Sequence, residues 1–363
     1  MLEDQATSRE SNGQVKEVRT AKDSDVQLMP TSELSPSSHQ NQAQDGAEQS
    51  DTEIASGSEV PVSSVGADLL GQLKMAPSKV AGDIIISGSA AVFELTQAVY
   101  ARFTEAGYAG KMTLSNSGSS VGFKLLCEWH MSDIALASRP IRDKETAACV
   151  ENGRVPLELH AGIDALVVAV NPGNDFVSDL TLQELATVLS AEKWSDVNPI
   201  WPDEAIVRFV LAEETAKFEF LPRKVLGGDL ERALKLPNPR VSSTFVQLVQ
   251  EIAVEPHGIA FVGYSRDLAG TVPLKTLTVE GVLPADESIK TGEYPLLYPL
   301  LLYSDARIIQ QKPQVNAFLK FYLTHAPGIV EQLGHFPASP PMHDNSLTTL
   351  TEAQEHIEAD LKD

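Results

Sequence analysis

The chain reads as an α/β protein whose strands form a mainly parallel sheet, and three observations predict this. From Asp83 onward, short runs rich in Ile, Val and Leu alternate with stretches of helical apolar period. The connections between them are short and carry Gly, Ser, Asn and Pro. With 363 residues and 42% hydrophobic composition, the chain can bury cores for two domains of ordinary size. Strand, helix, strand in succession gives parallel pairing with helices on both faces.

Residues 1–79 are rich in Ser, Glu, Asp, Gln and Gly without a sustained period, which predicts a disordered acidic tether. Within it, Val65–Met75 (VGADLLGQLKM) reads as a short helix. Asp83–Gly88 (DIIISG) is a β-rich run ending in Gly, and Ala90–Ala106 is an amphipathic helix that Ser89 caps. Lys111–Ser115 reads as a second strand, Val121–Trp129 as a helix and Asp133–Ala137 as a third strand. Leu166–Asn171 (LVVAVN), bounded by Pro172 and Gly173, has the continuous apolar character of a buried strand. Helix over Leu182–Ser190, strand over Ile206–Leu211, helix over Ser243–Glu255 and strand over Gly258–Gly263 continue the alternation. The acidic tail His343–Asp363 carries a helix over Leu347–Leu361, and docking on the body or on a partner are both open.

A net charge of −22 argues against nucleic acid and anionic membrane surfaces as main partners, because both require a basic face. A small anion is not excluded, since a local cluster of N–H donors outweighs a distant acidic surface. No apolar run reaches the ~18 residues of a membrane span. The opening MLEDQATSRESNGQ lacks the basic start and apolar core of a signal peptide, which leaves a cytosolic protein or an exported one given without its leader. No G-x-S-x-G elbow, phosphate-binding P-loop or dinucleotide fingerprint occurs, so catalysis is not expected. His130, His160, His257 and His335 show no metal-ligand spacing, and neither a metal nor a cofactor is expected. Trp194 and Trp201 read as packing residues.

The stretch Ser115–Cys149 carries the most chemistry. It holds a Gly/Ser-rich loop at the start of a helix, a short apolar strand ending in Ala137-Ser138-Arg139-Pro140, and the chain's two cysteines, Cys127 and Cys149. Such a loop gathers backbone N–H groups, hydroxyls and the positive end of a helix around one oxyanion. Arg139 adds a planar cation able to grip two oxygens. Taken alone, these residues favour a capped turn and a surface or interlobe ion pair over an anion site, and the cysteines read equally as two buried thiols or as a disulfide.

These residues resemble the phosphate-binding proteins of ABC importers. The resemblance continues through Asp164–Pro172 (DALVVAVNP), LTLQELATVLS with Trp194 and Trp201, Gly258–Tyr264, Gly292–Leu296 and Val315–Leu323, and ends at Gly334-His335-Phe336-Pro337. It implies a type 2 periplasmic-binding-protein fold, two lobes with mainly parallel sheets joined by crossing strands around a ligand cleft. It also implies a Cys127–Cys149 disulfide, worth about 3 kcal/mol of loop closure, and hence an oxidising compartment. The site it implies comprises Ser89 with the N–H groups of Ala91 and Val92, the hydroxyls of Ser117, Ser119 and Ser120, and Arg139. Ala91 stands where the family has a hydroxyl. In the second lobe, Glu214–Leu221 departs from the family's D-S-G-T-F-D-Y-F; Thr215 and Lys217 are the residues there that could replace the lost contacts, beside Glu213 and Glu214.

The resulting organisation is a tether over 1–79, a binding domain over 80–340 and a tail over 341–363. Lobe 1 covers about 80–165 and 269–340, and lobe 2 about 166–268. The expected function is that of a monomeric periplasmic or extracellular binding protein, tethered through its N-terminal arm, that captures phosphate or a related oxyanion for an ABC importer permease. The alternative is an interaction or signalling module with weak or no phosphate binding.

Overall fold

The computed structural model describes residues 76–211, 220–225, 237–264 and 274–360, all within the unit Ser58–Asp363. The tether, apart from residues 76–79, and the helix expected over Val65–Met75 lie outside the described residues. In chain order the strands are β1 (Ile84–Gly88), β2 (Met112–Asn116), β3 (Ile134–Ala137), β4 (Pro156–Val170), β5 (Asp179–Leu180) and β6 (Val207–Leu211). They continue with β7 (Pro239–Ser242), β8 (Gly258–Gly263), β9 (Lys275–Thr276), β10 (Thr278–Val279), β11 (Leu297–Asp305) and β12 (Phe336–Pro337). The helices are α1 (Ala90–Glu105), α2 (Ser119–Cys127), α3 (Asp143–Glu151), α4 (Leu182–Val188), α5 (Trp194–Val197) and α6 (Phe220–Val225). The remainder are α7 (Phe245–Ala253), α8 (Asp286–Lys290), α9 (Ala306–Gln311), α10 (Pro313–Gln332) and α11 (Pro340–Asp360).

One sheet runs in the order β2-β1-β3-β11-β4-β8-β6-β7, with β12 and β9 also beside β4. Pairing is parallel within each half: β1 with β2 and β3, and β6 with β7 and β8. Between the halves, β11 and β4 run antiparallel. The long strand β4 pairs with β11 as far as Ala165 and with β8 from Leu166 onward, so one strand carries both halves.

Local sequence explains the packing. Helix α1 starts on Ser89, whose hydroxyl accepts the Ala91 N–H at 3.3 Å, and its stripe Val92, Leu95, Val99 and Phe103 is fully buried. Burying each such side chain contributes about 1.5–3 kcal/mol. Phe103 meets Phe318 and Phe321 of α10 edge-on at 5.3 and 5.2 Å. In the other half Trp194 is fully buried, with its indole N–H on the His257 carbonyl at 3.0 Å, and its ring against Phe176 and Trp201. Both tryptophans therefore pack. Arg208 of β6 is buried and donates to the carbonyls of Val188, Ala191, Ile206 and Pro237, tying down the end of α4. Burial lowers its guanidinium to about 10.

Three elements differ from the sequence expectation. Strand β4 begins at Pro156, ten residues before the apolar run that predicts it; its first part alternates apolar residues, Leu159 and Ala161 buried among them, with half-covered Glu158 and His160. Helix α3 has one buried side chain, Cys149, so no apolar period announces it. Helix α11 begins at Pro340 rather than Leu347 and docks on the body through buried Leu347, Leu350 and Ala353.

Helix α11 also completes two backbone bonds. Pro327 inside α10 has no N–H for the Leu323 carbonyl, and His343 Nε2 donates to that carbonyl at 2.9 Å. The β4–β11 register shifts so that Leu300 faces Gly162 and Leu301 faces His160, and the His160 N–H donates to Ser346 Oγ at 2.9 Å. Among the described residues no helix is long and apolar enough to cross a membrane.

Candidate anion-binding site

The carboxyl ends of β2, β1 and β3 form one edge, and backbone bonds lock their turns together. The Gly88 carbonyl accepts the N–H groups of Ser117 and Gly118 at 3.0 and 2.8 Å, and the Ser89 N–H donates to the Leu136 carbonyl at 2.9 Å. Gly88 has φ +143°, and a Cβ there would lie 2.1 Å from the Leu136 oxygen, so only glycine allows this approach. A Cβ on Gly122 would meet the Gly88 Cα at 2.9 Å, which sets α2 directly against the end of β1.

Helix α2 starts on Gly118, at φ +76°, with no side-chain cap. Its first-turn N–H groups, from Ser119, Ser120 and Val121, have no acceptor inside the helix. The positive end of the helix dipole therefore opens onto this edge. The expected serines divide in role. Ser119 Oγ accepts the Ser138 N–H at 3.3 Å and Ser120 Oγ accepts from Arg139 Nη2 at 3.0 Å, so both tie α2 to the end of β3. Ser117 Oγ is buried with no hydrogen-bond partner among the described residues. The N–H groups of Ala91 and Val92 close the cap on Ser89 instead, at 3.3 and 3.2 Å, so the donors without a partner belong to α2.

Arg139 is paired within the protein. Its two-oxygen grip falls on Glu145, with Nη1 and Nη2 at 2.8 and 2.6 Å from the two carboxylate oxygens, both side chains 13% exposed. Nη1 also donates to the Pro140 carbonyl at 2.9 Å. The guanidinium sits 5.3 Å from the centre of the Phe123 ring. Its Nε–H is buried and has no partner among the described residues. Burial alone would raise the Glu145 carboxyl, but hydrogen bonds from Arg139 and from the Arg142 N–H outweigh it and hold it below the ordinary carboxylate value. The pair is thus ionised and internally neutral, and offers a ligand one directed donor rather than a bare cation.

The disulfide between Cys127 and Cys149 joins α2 to α3, the helices that carry Ser120 and Glu145. Thr215 and Lys217, with Glu213 and Glu214, lie outside the described residues, and the second-lobe expectation ends there. Among the described residues no three His, Cys, Asp or Glu side chains are grouped to hold a metal ion. Sequence reasoning missed Phe123 and Glu145. Glu145 left one signal: it is the third residue of α3 and accepts the Arg142 N–H at 3.0 Å, as an acidic residue at that helix position does.

Comparison with known proteins agrees with this architecture. Residues 74–325 match the model of the PBP superfamily domain. A protein named SphX from Synechocystis sp. is 31% identical over 280 residues, covering 74% of this chain and 82% of that one. The phosphate-binding protein PstS of Staphylococcus epidermidis is 25% identical over 284 residues, covering 76% of this chain and 85% of that one. A crystal structure from Planctomyces limnophilus, described as a "possible phosphate binding protein", superposes with a TM-score of 0.66 at 29% identity, covering 76% of this chain and 99% of that one. With the family match spanning both halves of the sheet, the chain belongs to the PBP superfamily.

Proposed function

We infer that this protein is an extracytoplasmic solute-binding protein that captures inorganic phosphate, or an oxyanion of the same geometry, and delivers it to an ABC importer. The observation that carries this reading is the pair of buried polar groups, Ser117 Oγ and Arg139 Nε, that have no partner among the described residues, on the edge where α2 begins without a cap. Buried polar groups are hydrogen-bonded in native proteins, and an oxyanion at the helix start would bond to both. The relative named phosphate-binding protein PstS and the Planctomyces limnophilus structure described as a "possible phosphate binding protein" support the same ligand class. The disulfide fits an oxidising compartment, the segment 1–79 serves as the tether, and the protein acts as a binding protein rather than an enzyme. The boundary between lobes falls where β4 changes partner, between Ala165 and Leu166.

A second reading, a binding fold turned to signalling with little phosphate affinity, is favoured by one observation: Glu145 already neutralises Arg139. Calorimetric titration of the phosphate-stripped protein separates the two. Micromolar or tighter binding, competed weakly by sulfate and phosphite, is expected, with Ser119→Ala and Arg139→Ala each weakening it by about tenfold or more, since a hydrogen bond to a charged group contributes about 1.5–3 kcal/mol. No heat and no thermal stabilisation at millimolar phosphate would overturn phosphate capture and favour the second reading or a different ligand.

A further inference from the structure

Arg139 is held by a short bend with three fixed points. The Arg139 Nη1 donates to the Pro140 carbonyl at 2.9 Å, and the Arg142 N–H donates to Glu145 at 3.0 Å, so two of the points belong to the ion pair itself. The third comes from elsewhere in the chain. The Ile141 N–H donates to the phenol oxygen of Tyr303, on β11, at 3.0 Å. The Tyr303 hydroxyl in turn donates to Glu158 of β4, whose other oxygen meets His160 Nε2 at 3.0 Å. The Tyr303 ring also stands edge-on to Phe123, with centres 4.9 Å apart at 75°, and Phe123 lies beneath the Arg139 guanidinium. Tyr303 is 1% exposed.

We propose that Tyr303, oriented by Glu158, is a positioning residue for Arg139: it fixes both the backbone that follows the guanidinium and the ring on which the guanidinium rests. The proposal rests on the reading that Arg139 Nε faces the bound anion. A phenol is suited to the task because its oxygen accepts from Ile141 while its hydrogen goes to the carboxylate, so its rotation is set at both ends. Burial, and then the bond to Glu158, raise the Tyr303 phenol, which therefore stays protonated and keeps donating. The hydrogen bond from His160, against the opposing effect of burial and with help from Tyr303, lowers the Glu158 carboxyl and keeps it an acceptor. Tyr303 thereby connects the strand shared by both halves of the sheet to one donor of the site.

The test is a double-mutant cycle in the full chain, with inorganic phosphate as probe. Tyr303→Phe keeps the ring and removes both hydrogen bonds, and phosphate affinity is expected to fall about threefold to tenfold. In the Arg139→Ala background the same change is expected to cost nothing further, because its effect passes through Arg139. Tyr108→Phe, which removes a buried phenol bond to Gly82 instead, serves as the control for general loosening and is expected to leave affinity unchanged. Equal losses from Tyr303→Phe in both backgrounds, or none in either, would overturn the proposal. Should the parent protein bind no phosphate, the ligand reading fails, and the positioning claim is then decided by the Arg139 Nε–H resonance of the free protein. A shifted, faster-exchanging resonance in Tyr303→Phe but not in Tyr108→Phe supports it, and an unchanged one rejects it.

Discussion

Arg139 shows how much one side chain's chemistry depends on its neighbours. A guanidinium has five N–H groups. Four of these are committed to Pro140, Ser120 and the two oxygens of Glu145, which leaves Nε–H. The hydroxyls and the arginine were legible in the sequence because Ser117, Ser119 and Ser120 sit in a Gly/Ser-rich loop and Arg139 follows a short apolar strand. Glu145 was not, because the pair spans a strand end and a helix start, where spacing carries no periodic signal. The pair has a pH consequence. The folded-state carboxyl of Glu145 lies below its ordinary value of 4.5, so its stabilisation is fully present above that pH and is lost as pH falls through the lower, folded value. Glu158 titrates in the same direction and adds to the acid loss. The difference in Tm between the parent and Glu145→Gln is therefore expected to be largest above pH 4.5 and to shrink on acidification; a difference that grows toward acid would reverse the sign of this account.

Among the elements, the helices with a continuous apolar stripe and the strands with both faces buried were readable in advance, as α1 and the second part of β4 show. Two elements were not read: α3 buries a single cysteine and has no apolar stripe, and the first part of β4 alternates Leu157, Leu159, Ala161 and Ile163 with Glu158, His160 and Gly162 instead of forming a continuous apolar run. Helix α11 is a different case, since it adds two polar side chains to its buried Leu347, Leu350 and Ala353. His343 caps the carbonyl freed by Pro327 and Ser346 caps the N–H freed at the β4 irregularity. Replacing either by Ala leaves a buried backbone group unpaired, at a cost of about 1–3 kcal/mol. Denaturant unfolding is expected to show that loss for His343→Ala and for Ser346→Ala, whereas Asn345→Ala, on the exposed side of the helix, is expected to change stability little. Equal stability of all three would show that neither polar bond contributes to the fold.

At the scale of the molecule, the resemblance anticipated two halves with a strand passing between them, and local pattern alone could not, because no periodicity tells a strand which partners it meets. The structure puts the exchange of partners between Ala165 and Leu166. It also gathers three turns, far apart in sequence, at one edge through the Gly88, Ser117 and Leu136 bonds, which makes the site a property of the sheet rather than of any one loop. The most direct measurement of that claim is a crystal structure of the protein with phosphate. The account predicts an anion at the first turn of α2, accepting from Arg139 Nε and within hydrogen-bond distance of Ser117 Oγ, with the Arg139–Glu145 pair intact. An anion bound away from this edge, or one reached only after Arg139 has left Glu145, would contradict it.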